Sequence, residues 1–243
     1  MINTRTATLS LETKDRAVAT SRIMLHSRSA GVYVEADLSK GERLAVDDIV
    51  YVVYDDGSGE RTLVATARVF AVPRSDSRNI IFASDLYRDR LKTIVPACAW
   101  RKADAAEIME SVMADCDVDE FDSSALSGIR LPHFSCQAQN GWTVLRSLLR
   151  AVNAMEGLRL VVLPSSDGIL MIGEYDDLSS YYSSPLQLDL EDVMTLGEDR
   201  LIAHLVAAGY GQEVIVDGVP RGRVKEAVLS ASADARRTRL WLE

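Results

Sequence analysis

The sequence predicts an α+β protein, with two β-barrel-like domains of antiparallel strands around a small helix-containing middle domain. Three observations lead there. Short alternating strand patterns, separated by turn residues, recur along the first hundred residues. Helical periodicity is confined to the middle, at 103–115 and 141–155. Strand patterns then return after Pro185. The expected divisions are an N-terminal antiparallel β-domain at 1–95, an acidic middle α+β domain at 96–184, and a C-terminal β-rich segment at 185–243 that would complete a second barrel. Two β-rich ends flanking a helical middle are also compatible with one discontinuous domain.

The elements follow in order. In 5–11, Ala7, Leu9 and Leu11 alternate with Thr6, Thr8 and Ser10, the period of a half-buried strand. Residues 20–25 and 32–36 read as two more strands around the 26–31 loop. Residues 48–54 are rich in Ile, Val and Tyr, which favour strands. The run Asp55-Asp56-Gly57-Ser58-Gly59 is a dense turn signal, and 62–72 resumes as a strand closed by Pro73. Residues 79–83 form a short apolar strand, and Ser84-Asp85 is expected to cap a short helix through Leu91.

In the middle, Ile108 and Val112 lie four apart on one face of the 103–115 helix, with Met109 and Met113 beside them. Asp104 and Glu107 suit the positive end of its dipole. The second helix has Asn140 as N-cap, an apolar stripe of Trp142, Leu145, Leu148, Leu149 and Val152, and Gly157 as its stop. Between the helices lies an acidic bridge, 115–122, followed by an extended segment at 131–136. After Gly157, strands at 158–163 and 169–173 flank the Ser165-Ser166-Asp167-Gly168 turn. Residues 175–184 are polar and tyrosine-rich, a surface loop in which Tyr181 and Tyr182 are candidate interface residues. In the tail, 201–208 is ambiguous between strand and helix, whereas Asp217-Gly218 between Val216 and Val219 signals a short hairpin in a closing meander.

Composition bounds the function. The 243 residues are 47% hydrophobic, enough for real cores, and no apolar run reaches the roughly 20 residues of a membrane-spanning helix. The start, Met-Ile-Asn-Thr-Arg, lacks the apolar core of a signal peptide, so the expected site of synthesis and residence is the cytoplasm. The net charge of −9 is uneven. Residues 1–102 hold 16 Lys/Arg against 13 Asp/Glu, residues 103–199 hold 4 against 18, and residues 200–243 hold 7 against 5. A middle segment of net charge −14 repels nucleic acid.

No catalytic signature is present. Gly-x-Ser-x-Gly, Walker A, GxGxxG and His-Glu-x-x-His are all missing. Cys98, Cys116 and Cys136 make no CxxC pair, and their odd count argues against a disulfide framework. They read as small buried hydrophobes, and the scattered His26, His133 and His204 give them no metal-site partners. The acidic bridge fails the calcium-loop pattern: counted from Asp115, positions six and twelve hold Glu120 and Leu126, and counted from Asp117 they hold Asp122 and Gly128. Carboxylate pairs at Asp47-Asp48, Asp55-Asp56 and Asp176-Asp177 leave a glycosidase-like reading open, but each sits where a turn would use it. Arg88, Arg90, Lys92, Trp100, Arg101 and Lys102 form the best basic-aromatic cluster, and it reads as a solvated helix face beside one buried Trp. The sequence therefore nominates no catalytic, cofactor-binding or metal-ligating residue and no cofactor.

The order of segments resembles the bacteriophage tail or baseplate hub proteins of contractile tails and related injection machines. The residues that carry the resemblance are Gly41-Glu42-Arg43 with Asp48-Ile49-Val50-Tyr51-Val52, the run from Ala83 to Leu91, and Ala103-Asp104-Ala105-Ala106-Glu107-Ile108-Met109. Further along they are Gln139-Asn140-Gly141-Trp142-Thr143-Val144-Leu145-Arg146-Ser147-Leu148, the Asp167-Gly168-Ile169-Leu170 hairpin and the closing run from Gly211 to Val224. The resemblance covers most of the chain as a pattern of parts, with no single diagnostic motif. It implies a homotrimer whose two barrel-like domains per subunit make a pseudo-sixfold ring joining the tail tube, or a distal tail protein, to the spike and baseplate. DNA would pass through without specific binding and without membrane insertion. It implies a virion protein of the tail tip, assembled in the host cytoplasm, without catalytic residues. Two other classes stay open: a cell-wall glycan hydrolase using a carboxylate pair, and a receptor- or carbohydrate-binding β-module using the 175–182 loop.

Overall fold

The computed structural model describes residues 6–28, 31–73, 79–174 and 184–243. The chain forms two compact units. The first contains Met1–Asp85, Ser166–Gly168 and Ser179–Glu243; the second contains Leu86–Ser165 and Ile169–Leu178.

The first unit begins with β1 (Thr8–Glu12), β2 (Ala17–Val18), β3 (Thr20–Arg28), β4 (Gly31–Leu38), β5 (Ile49–Asp55), β6 (Arg61–Ala71) and β7 (Ile80–Ser84). The alternation read from the sequence at 5–11 holds, with Ala7, Leu9 and Leu11 buried, and the next strands alternate as well: β3 buries Ile23 and Leu25, β4 buries Val32, Val34 and Ala36, and β5 buries Val50 and Val52. The dense turn at 55–59 is built from its own carboxylates. Asp55 accepts from Gly57 N at 2.8 Å and Asp56 from Ser58 N at 2.7 Å.

The second unit contains β8 (Ile94–Val95), β9 (Cys98–Asp104), α1 (Ala105–Asp115), β10 (Phe121–Asp122), β11 (Arg130–Cys136), β12 (Gln139–Asn140), α2 (Gly141–Glu156), β13 (Leu160–Pro164) and β14 (Leu170–Glu174). Asp104 serves as the N-cap of α1, one residue outside the first turn, and accepts from Ala106 N at 2.9 Å and Gly128 N at 2.8 Å. Asn140 caps α2 by accepting from Thr143 N at 2.8 Å, and Gly157 ends it in the left-handed conformation at φ 69°. Ile108, Met109, Val112 and Met113 of α1 pack in one buried cluster with Val144, Leu145, Leu148 and Val152 of α2. Trp142 is only half-buried, with Arg146 stacked 5.2 Å from its ring centroid. Asn153 grips the start of β13 by bonding both backbone groups of Leu160, at 2.8 and 3.1 Å.

The helix expected over 84–91 does not form. Residues 86–89 are a turn leading into a 3-10 helix at Arg90–Lys92. Asp85, the expected cap residue, accepts instead from Val32 N at 3.2 Å, so its carboxylate is committed to β4. That commitment also explains Gly31, at φ 110°, where an added Cβ would stand 2.0 Å from Asp85 Oδ2.

The first unit resumes with β15 (Leu186–Leu188), β16 (Val193–Leu196), β17 (Arg200–His204), β18 (Glu213–Val216), β19 (Val219–Ser232) and β20 (Arg236–Leu242). The ambiguous 201–208 stretch resolves as β17 followed by a buried loop. Among the described residues, thirteen strands share one sheet in the order β16-β17-β20-β19-β3-β4-β7-β6-β5-β1-β2, with β15 and β18 joined through β19. The antiparallel pairing of β19 with β3, from Glu226↔Arg28 to Ser232↔Arg22, unites the N-terminal and C-terminal β-segments. The α+β class stands, but no sheet closes into a barrel among the described residues. One apolar core underlies strands from both ends of the chain, including Leu11, Ile23, Ile81, Leu201, Leu229 and Leu240.

Candidate interaction surface

The residues weighed as sites in the sequence are mostly engaged locally. Asp48 accepts from Ala45 N at 2.7 Å, and Asp47 lies 3.9 Å from Arg68 in an ion pair. Asp56 is held below the usual carboxylate range by the Ser58 hydroxyl and then by the Ser58 N–H. Asp176, Asp177, Tyr181 and Tyr182 lie outside the described residues. In the acidic bridge, Arg90 lies 3.5 Å from Asp117 and 3.7 Å from Asp119, and Asp122 accepts from Ser124 N at 2.8 Å. Among the described residues no group of three His, Cys, Asp or Glu side chains could hold a metal. The basic-aromatic cluster does not gather. Arg90 turns to the acidic bridge, Lys92 pairs with Asp89 at 2.5 Å, and Trp100 packs on Phe134 with ring centroids 5.9 Å apart.

A different group comes together on the outward face of the large sheet. Side chains that alternate with the core line up across six strands by register. One row runs Ile202, Arg239, Val228, His26 and Tyr33 across β17, β20, β19, β3 and β4. A second runs His204, Arg237, Ser230, Met24, Glu35 and Phe82, ending on β7. A third runs Arg200, Trp241, Glu226 and Arg28. At the usual inter-strand spacing, the six strands span about 24 Å.

The two ends of this face differ. At one end, Arg200 lies over the Trp241 ring, 5.4 Å from its centroid. Arg237 and Arg239 stand two residues apart on the same side of β20, and among the described residues neither they nor Arg200 forms an ion pair. Burial lowers Arg239 from the ordinary guanidinium value, and the charges of Arg237 and Arg200 push it the same way. The Nε of Arg237 is buried with no hydrogen-bond partner. Like charges crowded without compensation are unfavourable in the isolated chain and become favourable once carboxylates face them.

At the other end the face is aromatic. Tyr33 stacks on Phe82 at 6.1 Å, Phe70 on Phe82 at 6.4 Å, and His26 meets Tyr33 edge-on at 5.8 Å. Phe70 keeps 40% of its surface exposed. Between the ends, Arg22 pairs with Glu35 and with Asp37, the latter at 3.3 Å, so that this guanidinium is compensated within the chain. Arg, Trp, Tyr, Phe and Met are the residue types enriched where proteins meet. The sheet path ends at β16 and β2, and β16 carries Met194 with 57% of its surface exposed. A strand at a sheet edge offers backbone groups to another chain.

The sequence held half of this signal: Arg237, Arg239 and Trp241 alternate with Thr238, Leu240 and Leu242. Their alignment with Arg200 and His26 depends on strand pairing, which composition does not encode.

No protein-family model and no curated protein matches the sequence. Solved structures do match the fold. The 43 kDa tail protein of prophage MuSo2 from Shewanella oneidensis superposes with a TM-score of 0.68 at 11% identity, covering 97% of each chain. A tail protein from Neisseria meningitidis MC58 gives 0.67 at 14% identity, covering 97% of this chain and 96% of that one. The chain has the fold of phage tail proteins. The same fold extends to an E. coli component of the type VI secretion system, described as structurally similar to T4 bacteriophage tail proteins. There the TM-score is 0.63 at 12% identity, over 96% of this chain and 75% of that chain. At these identities the likeness lies in backbone arrangement, so it shows the tail-protein fold and transfers no residue.

Proposed function

We propose that this chain is a structural protein of a phage tail or related injection device: a trimeric adaptor that links the tail tube to the central spike and baseplate. The observation that carries this reading is the fold shared with two tail proteins over nearly the full length of all three chains. Agreement across both compact units makes it a match of whole architecture rather than of one common motif. The outward sheet face supports it, because an adaptor must bury large surfaces against unlike neighbours. In this reading the β-rich segments 1–95 and 185–243, joined through β3 and β19, build the ring as two barrel-like lobes per subunit. The chain works by binding rather than by catalysis, within the virion at the tail tip.

The test is to tag the chain and locate it in assembled particles by cryo-electron microscopy, with light scattering of the purified chain for stoichiometry. Density at the junction of tube and spike, in three copies, is the expected result. Tails that assemble completely without the chain would overturn the proposal.

A further inference from the structure

Two of the three cysteines face each other. Cys98 opens β9 and Cys136 closes β11, and the two are direct partners in the antiparallel register, continuous with Ser135↔Ala99 and Phe134↔Trp100. Their Sγ atoms stand 3.4 Å apart with no bond between them. Directly opposed residues on antiparallel strands have Cα atoms about 4.5–5.5 Å apart, inside the window of about 4.4–6.8 Å that a disulfide requires. Closing to the bonded distance of about 2.0 Å therefore needs side-chain rotation rather than strand movement. Both residues are half-buried and reachable from solvent, whereas Cys116 is 1% exposed and packs beneath α2.

We propose that Cys98 and Cys136 are a disulfide-forming modification site, reduced in the cytoplasm and oxidised to a cross-strand bridge when the protein meets a small-molecule disulfide such as glutathione disulfide. In the first step a thiolate of the pair attacks one sulfur of glutathione disulfide, breaking its S–S bond and releasing one glutathione thiolate. The second cysteine then attacks the resulting mixed disulfide at the protein sulfur, forming the Cys98–Cys136 bond and expelling the other glutathione thiolate. Two protein thiols are oxidised, one small disulfide is reduced, and the two S–H protons end on the released glutathiones.

Burial, then the hydrogen bond with Cys136, pushes the Cys98 thiol up to about 12. Catalytic and sensing thiols have the opposite character. A thiol of that character suits a structural crosslink rather than a redox catalyst. The bridge encloses 37 residues, including α1 and the acidic bridge. Closing a loop of that size in the unfolded chain raises the melting midpoint of the second unit by on the order of 10 °C.

The experiment exposes the folded full-length chain to glutathione disulfide, followed by intact mass, thiol titration, peptide mapping and thermal melting. The expected result is loss of two hydrogens, one remaining thiol (Cys116), a single 98–136 crosslink and the raised midpoint. Cys98→Ser and Cys136→Ser each remove the crosslink, and Cys116→Ser retains it. Three titratable thiols after treatment of the folded protein, a persistent glutathione adduct on either cysteine, or a crosslink involving Cys116 would each overturn the proposal. Because the wild-type peptide map decides on its own, a variant that fails to fold leaves the test intact.

Discussion

Gly141 opens α2 against the end of α1, and replacing it with alanine tests how tightly the two helices meet. A Cβ built there would stand 2.3 Å from Cys116 Sγ and 3.3 Å from Leu91 Cδ2. The first distance lies more than an ångström inside ordinary contact. Neither side yields easily. Gly141 N donates to Thr93 O at 3.0 Å and follows the Asn140 cap, while Cys116 N donates to Val112 O and Met113 O at 3.1 Å each. Overpacking of this kind costs about 1–3 kcal/mol, offset by up to about 1 kcal/mol from the helix preference of alanine over glycine. Gly141→Ala should therefore destabilise the second unit by about 1–2 kcal/mol. The specific consequence appears in a double-mutant cycle. Cys116→Ala removes the atom that clashes, so Gly141→Ala in that background should be neutral or slightly stabilising, giving a coupling of about 2 kcal/mol. Urea unfolding followed by far-ultraviolet circular dichroism reads this directly, since among the described residues both α-helices lie in this unit. A coupling below about 0.5 kcal/mol would refute the reasoning, because the cost would then not come from the sulfur.

Asp104→Ala removes an acceptor from both Ala106 N and Gly128 N and should destabilise by about 2 kcal/mol, read as roughly 30-fold faster amide exchange at those two positions against an unchanged first unit. His26 is held below its ordinary value chiefly by burial, so the unfolded chain binds its proton first: stability is fully present above pH 6.5 and declines as pH falls below it. Denaturation midpoints at pH 7.5 and 5.5 should differ, and His26→Gln should reduce the difference. Arg237→Glu with Arg239→Glu should leave folding intact, since neither side chain is in the apolar core and among the described residues neither forms an ion pair, but should abolish incorporation of the chain into tails; normal incorporation would remove this face from the contacts.

The helices and turns were legible because their determinants are local. The Asn140 cap, the stop at Gly157 and the stripe from Leu145 to Val152 all act within a few residues of the backbone they control, whereas Asp104, expected inside the first turn of its helix, is the cap itself and also accepts from Gly128 N, 24 residues on. Alternation likewise fixed which side of β1 is buried. The exception at 84–91 marks the limit of local reading. Asp85 has the chemistry of a helix cap, and only the nearby Val32 N, 53 residues earlier, decides that it is not one.

The sequence alone determined an α+β protein with β-rich ends, a helical acidic middle and no recognised catalytic motif, since period, turn chemistry and charge are written along the chain. Tertiary structure alone decided that β3 and β19 are neighbours, although Thr20 and Ser232 stand near opposite ends of the chain. The same holds for Arg200 beside Trp241 and for Cys98 opposite Cys136. Strand pairing is chosen by burial of a shared core and completion of backbone hydrogen bonds, which fix register across any sequence separation but leave no mark in the spacing of residues. The outward arginine–aromatic face and the facing thiols are products of that register, so the features most open to experiment were the ones the linear pattern could not display.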